Sequence, residues 1–116
     1  MALEISSNAY KVATPERVQR SKAAAGMRTL IIGAGEAGRI LARDLKRTTE
    51  YGLLPIGFLD DDPSKKGAAG LPVLGTTTDL VSIAAAHAAD VVIVAIPSLA
   101  PGEVRRLAER ASEAGV

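Results

Sequence analysis

Gly33, Gly35 and Gly38 form the pattern G-x-G-x-x-G within MRTLIIGAGEAGRILARDL, and Asp60 follows 22 residues after the last of them. The run TLII ahead of the glycines is apolar, and the residues behind them repeat apolar side chains at helical spacing. Glycine at 33 permits a sharp strand-to-helix turn, and glycine at 35 lets a pyrophosphate lie against bare backbone. Glycine at 38 lets the helix pack closely on a sheet. Glu36 and Ala37 complete the turn, whose amides and helix dipole would face the phosphates. Asp60 ends the second strand, where a dinucleotide fold places the acid that binds a ribose hydroxyl. A carboxylate there repels a 2′-phosphate, so NAD is the expected cofactor, with NADP and CoA behind it.

Other residues have two readings each. Arg39 could reach a phosphate or be a solvated helix arginine. Asp61 and Asp62 suit a turn, and Lys65-Lys66 could receive a phosphate. Pro97 and Ser98 follow the last strand at the carboxyl edge of the sheet, where ligands bind, although Ser98 equally suits the start of the next helix. His87, seven residues after Leu80, reads as a structural residue near a helix C-terminus.

These residues need elements to hold them. TLII (Thr29–Ile32), IGFLD (Ile56–Asp60), a short segment around Val73–Leu74 and DVVIVAI (Asp90–Ile96) read as strands. Between them, Glu36 to about Thr48 forms an amphipathic helix with Ala37, Ile40, Leu41 and Leu45 on its stripe. A second helix, capped by Thr78 or Asp79, carries Leu80, Ile83, Ala84 and His87. A third carries Val104, Leu107, Ala108 and Ala111. Alternating strands and helices predict an α/β fold: an open parallel sheet with strand order 3-2-1-4, covered on both faces. The domain is expected over 27–116, cut short before a further strand. Residues 1–26 read as a basic arm, with a possible short helix over roughly 15–24 started by Thr14-Pro15-Glu16.

Composition narrows the chemistry. The 116 residues contain no cysteine and a single histidine, which excludes a thiolate metal site and a multi-histidine cage. Residues 1–28 hold five basic and two acidic side chains, whereas 29–116 hold nine and eleven. No apolar run approaches the roughly 20 residues that span a bilayer, so the segment reads as soluble and cytoplasmic. Short-chain-type dehydrogenases and dehydratases use a Tyr with a Lys four residues on. Here Tyr10 meets Thr14 and Tyr51 meets Pro55, so no such dyad exists. No catalytic residue is expected within the chain.

Together, LIIGAGEAGRILARDL, IGFLDDDPSKKG, LPVLGTTTDL and DVVIVAIPS resemble the small Rossmann-like, CoA-binding-like domain of membrane-associated nucleotide-sugar dehydratases and epimerases. Those enzymes serve bacterial capsule and O-antigen synthesis. The resemblance implies a Rossmann-like three-layer sandwich over about 27–116, with Gly33, Gly35, Gly38 and Asp60 matching the nucleotide site. It also implies a parent at the inner face of the bacterial membrane and a catalytic domain beyond these residues. The expected partner is a nucleotide or nucleotide-sugar, not a nucleic acid; the domain could also form a homo-oligomer. Similar domains occur in undecaprenyl-phosphate sugar phosphotransferases, where the role would be regulatory or scaffolding. Others lead sugar acyltransferases or form the NADH-sensing half of Rex-type repressors.

Overall fold

The computed structural model describes residues 2–6, 9–12 and 26–116, the first two ranges as backbone strands. In chain order the elements are β1 (Ala2–Ser6), β2 (Ala9–Val12), β3 (Met27–Ile32), α1 (Glu36–Arg47), β4 (Leu53–Leu59), β5 (Gly67–Ala68), β6 (Leu71–Gly75), α2 (Leu80–Ala86), β7 (Val91–Val94) and α3 (Pro101–Glu113). The described strands order as β1-β2-β7-β3-β4-β6-β5. Its centre, β7-β3-β4-β6, is parallel throughout. Counted along those four strands, this is the 3-2-1-4 order expected from sequence. The outer strands are antiparallel additions: β2 pairs with β7, β1 with β2, and β5 with β6.

Alternation along the strands divides the core between two faces. Met27, Ile31, Phe58, Leu53, Val91 and Ile93 point to one side, where Leu41, Ala42 and Leu45 of α1 cover them. Leu30, Ile32, Leu59, Val92 and Val94 point to the other, against Leu80 and Ala84 of α2 and Leu107 and Ala111 of α3. Each fully buried aliphatic or aromatic side chain contributes about 1.5–3 kcal/mol relative to exposure. Thr29, the buried polar residue among those described, donates its hydroxyl to the Met27 carbonyl at 2.9 Å.

Three details differ from the sequence reading. The buried face of α1 is Gly38, Leu41, Ala42 and Leu45, while Ile40 is 45% exposed. Spacing by three and four from Gly38 selects those residues, because the glycine makes the closest approach to the sheet. The second strand starts at Leu53, ahead of Pro55. A register shift between Thr29, paired with Pro55, and Leu30, paired with Gly57, leaves Ile56 as the extra residue of a bulge directly after the proline. Lastly, β1 and β2 form within the segment read as an arm without regular period. The short helix expected over roughly 15–24 lies outside the described residues.

Candidate functional site

β3 ends at Ile32, and the next six residues carry all three motif glycines. The Gly33 amide donates to the Leu59 carbonyl at 2.8 Å, so the turn begins bonded to the neighbouring strand. Gly33 has φ +107°, and a Cβ there would lie 2.8 Å from Ile96 Cγ1 and 2.9 Å from the Ala95 carbonyl oxygen. At Gly38 a Cβ would fall 1.7 Å from the Gly33 carbonyl oxygen. These two glycines therefore serve the close packing of turn, helix and sheet. Gly35 is different: an added Cβ meets no atom within 4 Å. Gly35 is also the N-cap of α1, and no side chain caps the helix. The amides of the first turn are thus left for solvent or a ligand.

Asp60 sits at the carboxyl end of β4 and reaches back to this turn. Its Oδ2 accepts the Ala34 N–H at 2.8 Å, and its Oδ1 accepts the Asp62 N–H at 2.8 Å. Asp61 instead accepts the Thr77 N–H at 2.8 Å and the Thr77 hydroxyl. Asp62 accepts the Ser64 N–H at 2.9 Å and the Ser64 hydroxyl at 2.7 Å. The Ser64 bonds, with a smaller contribution from the Lys65 charge, hold the Asp62 carboxyl below its ordinary pKa. Three adjacent acids thus tie together the glycine turn, the Thr77 turn and the start of the 62–66 loop.

Between α1 and the loop following β4 lies an open cleft of about 520 Å³. Ala34, Gly35, Glu36 and Arg39 line it on one side, and Ser64, Lys65, Lys66, Gly67 and Ala68 on the other. The β5–β6 hairpin positions the second wall. Val73 donates to the Lys66 carbonyl at 2.9 Å, and Lys46 Nζ of α1 donates to the Ala69 carbonyl at 2.7 Å. Ala69 and Gly70 make the hairpin turn with φ of +52° and +79°.

Of the expected site residues, Gly35 and Glu36 line this cleft, while Gly33 and Gly38 are buried behind it. Ala37 is half-buried in the first turn of α1, and Asp60 braces the turn without lining the cleft. Pro97 and Ser98 are exposed elsewhere on the carboxyl edge. Their neighbours Ile96 and Leu99 line a separate cavity of about 210 Å³ with Asp61, Thr77, Arg106 and Arg110. Arg39, Lys65 and Lys66, open in the sequence to two readings, come to one cleft. The contribution of Gly67 and Ala68 was not visible in sequence, because it depends on a two-strand hairpin folding back beside α1. His87 lies at the end of α2, where its carbonyl accepts Arg28 Nε at 2.8 Å. Among the described residues, no group of three acidic, histidine or cysteine side chains could hold a metal ion. Nor is any helix among them long and apolar enough to cross a membrane.

A glycine turn between strand and helix, at the carboxyl edge of a 3-2-1-4 parallel sheet, defines a Rossmann-like domain of the nucleotide-binding class. More specifically, the chain belongs to the family described as the CoA-binding domain, which it matches over residues 10–116. It is 35% identical over 99 residues to the probable polysaccharide biosynthesis protein EpsC of Bacillus subtilis, covering 84% of this chain and 17% of that protein. It is 30% identical over 74 residues to the capsular polysaccharide biosynthesis protein CapD of Staphylococcus aureus, covering 61% of this chain and 12% of CapD. Over 89 residues it is also 30% identical to the redox-sensing transcriptional repressor Rex 1 of Thermotoga maritima, covering 75% of this chain and 41% of that one. In fold, it matches the crystal structure of RSP, a Rex-family repressor, with a TM-score of 0.64 at 18% identity, over 86% of this chain and 46% of that one. The chain therefore spans a minor part of each of these relatives.

Proposed function

We propose that this chain binds a pyrophosphate-bearing adenine nucleotide, the class that includes NAD(H) and CoA, on the glycine turn ahead of α1. In this reading it is the nucleotide-binding domain of a larger, membrane-associated protein that modifies nucleotide-sugars for surface polysaccharide synthesis. The observation that carries the binding is Gly35, where open space meets an uncapped helix N-terminus. The similarity to EpsC and CapD supports the biological setting. Dehydration or epimerisation by the parent would use residues outside this chain, since the Tyr–Lys dyad is missing from it.

Calorimetric titration of the 116-residue chain with NAD⁺, NADH, CoA and a UDP-sugar tests the reading. Saturable binding of at least one of the three adenine nucleotides, lost in Gly35→Val, is the expected result, and binding of the UDP-sugar alone overturns the adenine assignment. No binding by any of them overturns it. A second reading, NADH sensing, draws on the likeness to Rex 1. It requires NADH to bind much more tightly than NAD⁺, which the same titrations read directly.

A further inference from the structure

The cleft beside the glycine turn has a charge pattern that a pyrophosphate alone does not require. Arg39 projects from α1 on one wall, and Lys65 and Lys66 stand on the other. Glu36 is the acid among the lining residues. Three cations against one carboxylate leave the lining with a formal charge of about +2 before any ligand enters. No ion pair among the described residues engages Arg39 or Lys66; the charge of Lys65 is felt by Asp62 just ahead of it. Ser64 adds a hydroxyl at the same rim, although it already donates to Asp62.

The acid that would argue for a bare ribose is placed differently. Asp60 lies outside the lining, and each carboxylate oxygen already accepts a backbone N–H, from Ala34 and from Asp62. Its charge is spread over the turn that it braces rather than presented to the cleft. An adenosine whose diphosphate rests on the α1 amides must set its ribose close to that turn, and hence beside the two walls. A monoester phosphate on the ribose would add up to two negative charges where the lining is cationic. Guanidinium and ammonium groups form their strongest hydrogen bonds with such groups.

We propose that Arg39, Lys65 and Lys66 form a specificity site for a phosphate monoester on the ribose of the bound adenine nucleotide. This rests on the nucleotide-binding reading above and narrows it. The hairpin is what makes the site: the Lys66 carbonyl is pinned by Val73 and the following turn by Lys46, which fixes the lysine-bearing backbone opposite α1. The chemistry is common to a 2′-phosphate and a 3′-phosphate, and ligands differing only by that group separate the two.

The experiment is calorimetric titration of the 116-residue chain with NAD⁺ against NADP⁺, and dephospho-CoA against CoA. The phosphorylated member of one pair should bind about tenfold more tightly, and that pair identifies the 2′ or the 3′ position. The Lys65→Ala/Lys66→Ala double variant should reduce the preference to under about threefold, the phosphorylated ligand losing more affinity than its unphosphorylated partner. Arg39→Ala should act in the same direction. Both lysines are exposed, so these changes leave the core intact. If NAD⁺ binds as well as NADP⁺ and dephospho-CoA as well as CoA, the inference fails and the nucleotide-binding reading stands. A preference that survives all three substitutions removes these side chains from the role. If none of the four ligands binds, the underlying reading fails and the specificity site with it.

Discussion

Gly35 and Gly38 stand three residues apart, yet a methyl group added to each meets opposite surroundings. At 35 it enters open space, and at 38 it collides with the Gly33 carbonyl. Gly38→Ala should therefore lower stability by about 3 kcal/mol, read in urea unfolding. Gly35→Val should cost about 1 kcal/mol or less in stability and bring nucleotide binding below detection. Asp60 is a second residue whose role depends on its surroundings. Asp60→Ala removes the acceptor of two backbone amides and should cost about 2 kcal/mol, with Asp60→Asn losing less because one oxygen remains. Asp62 gives a pH readout. Its folded pKa is lowered, so its contribution is present above the unfolded value and is lost as pH falls through the folded one. An NMR titration should place its midpoint below the ordinary aspartate value of 3.8, and Ser64→Ala should move it back upward.

The elements explain why the turn stays in place although no side chain caps the helix that follows it. α1 buries Gly38, Leu41, Ala42 and Leu45 against β3 and β4, with Phe58 beneath Gly38. Phe58→Ala should cost about 3–5 kcal/mol by thermal or urea unfolding. Because Phe58 Cε1 would lie 3.4 Å from a Cβ at Gly38, the resulting cavity opens directly under the glycine turn. The helix period and the apolar strands were legible in the sequence. The exact stripe was not: Ile40 and Ala42 exchange places with respect to the expected face, a rotation decided by how closely Gly38 lets the helix approach. Likewise, YGLLP contains the breaker signals of a turn, and only pairing with β3 shows that its last three residues belong to β4.

At the scale of the whole molecule, the sheet is central-parallel with antiparallel margins, and the margins do different work. On one side β5 and β6 fold the lysine-bearing loop toward α1. On the other, β2 covers the edge of β7 with the register Tyr10↔Val94, Lys11↔Ile93 and Val12↔Val92. β7 is fully buried, so uncovering its edge would expose a ladder of unpaired groups on an apolar strand. Deleting residues 1–12 should leave the helical circular-dichroism signal in place and raise the mass measured by light scattering, through edge-to-edge association. A mass per chain unchanged from that of the intact protein would show that β2 is dispensable to that edge.

What the sequence by itself determined is the local grammar: three glycines between a strand and a helix, four apolar strands, and their 3-2-1-4 order. Those follow from short-range sterics, side-chain periodicity and the geometry of parallel crossovers, all readable along the chain. Only the tertiary structure decided the division of labour within Asp60, Asp61 and Asp62, and the meeting of Arg39 with Lys65 and Lys66. The three acids look equivalent in a row, and they are distinguished by which amide each reaches: distant Ala34 for Asp60, distant Thr77 for Asp61, and the nearby Ser64 for Asp62. The cations are separated by 26 and 27 residues, and a hairpin beside α1 is what closes that distance.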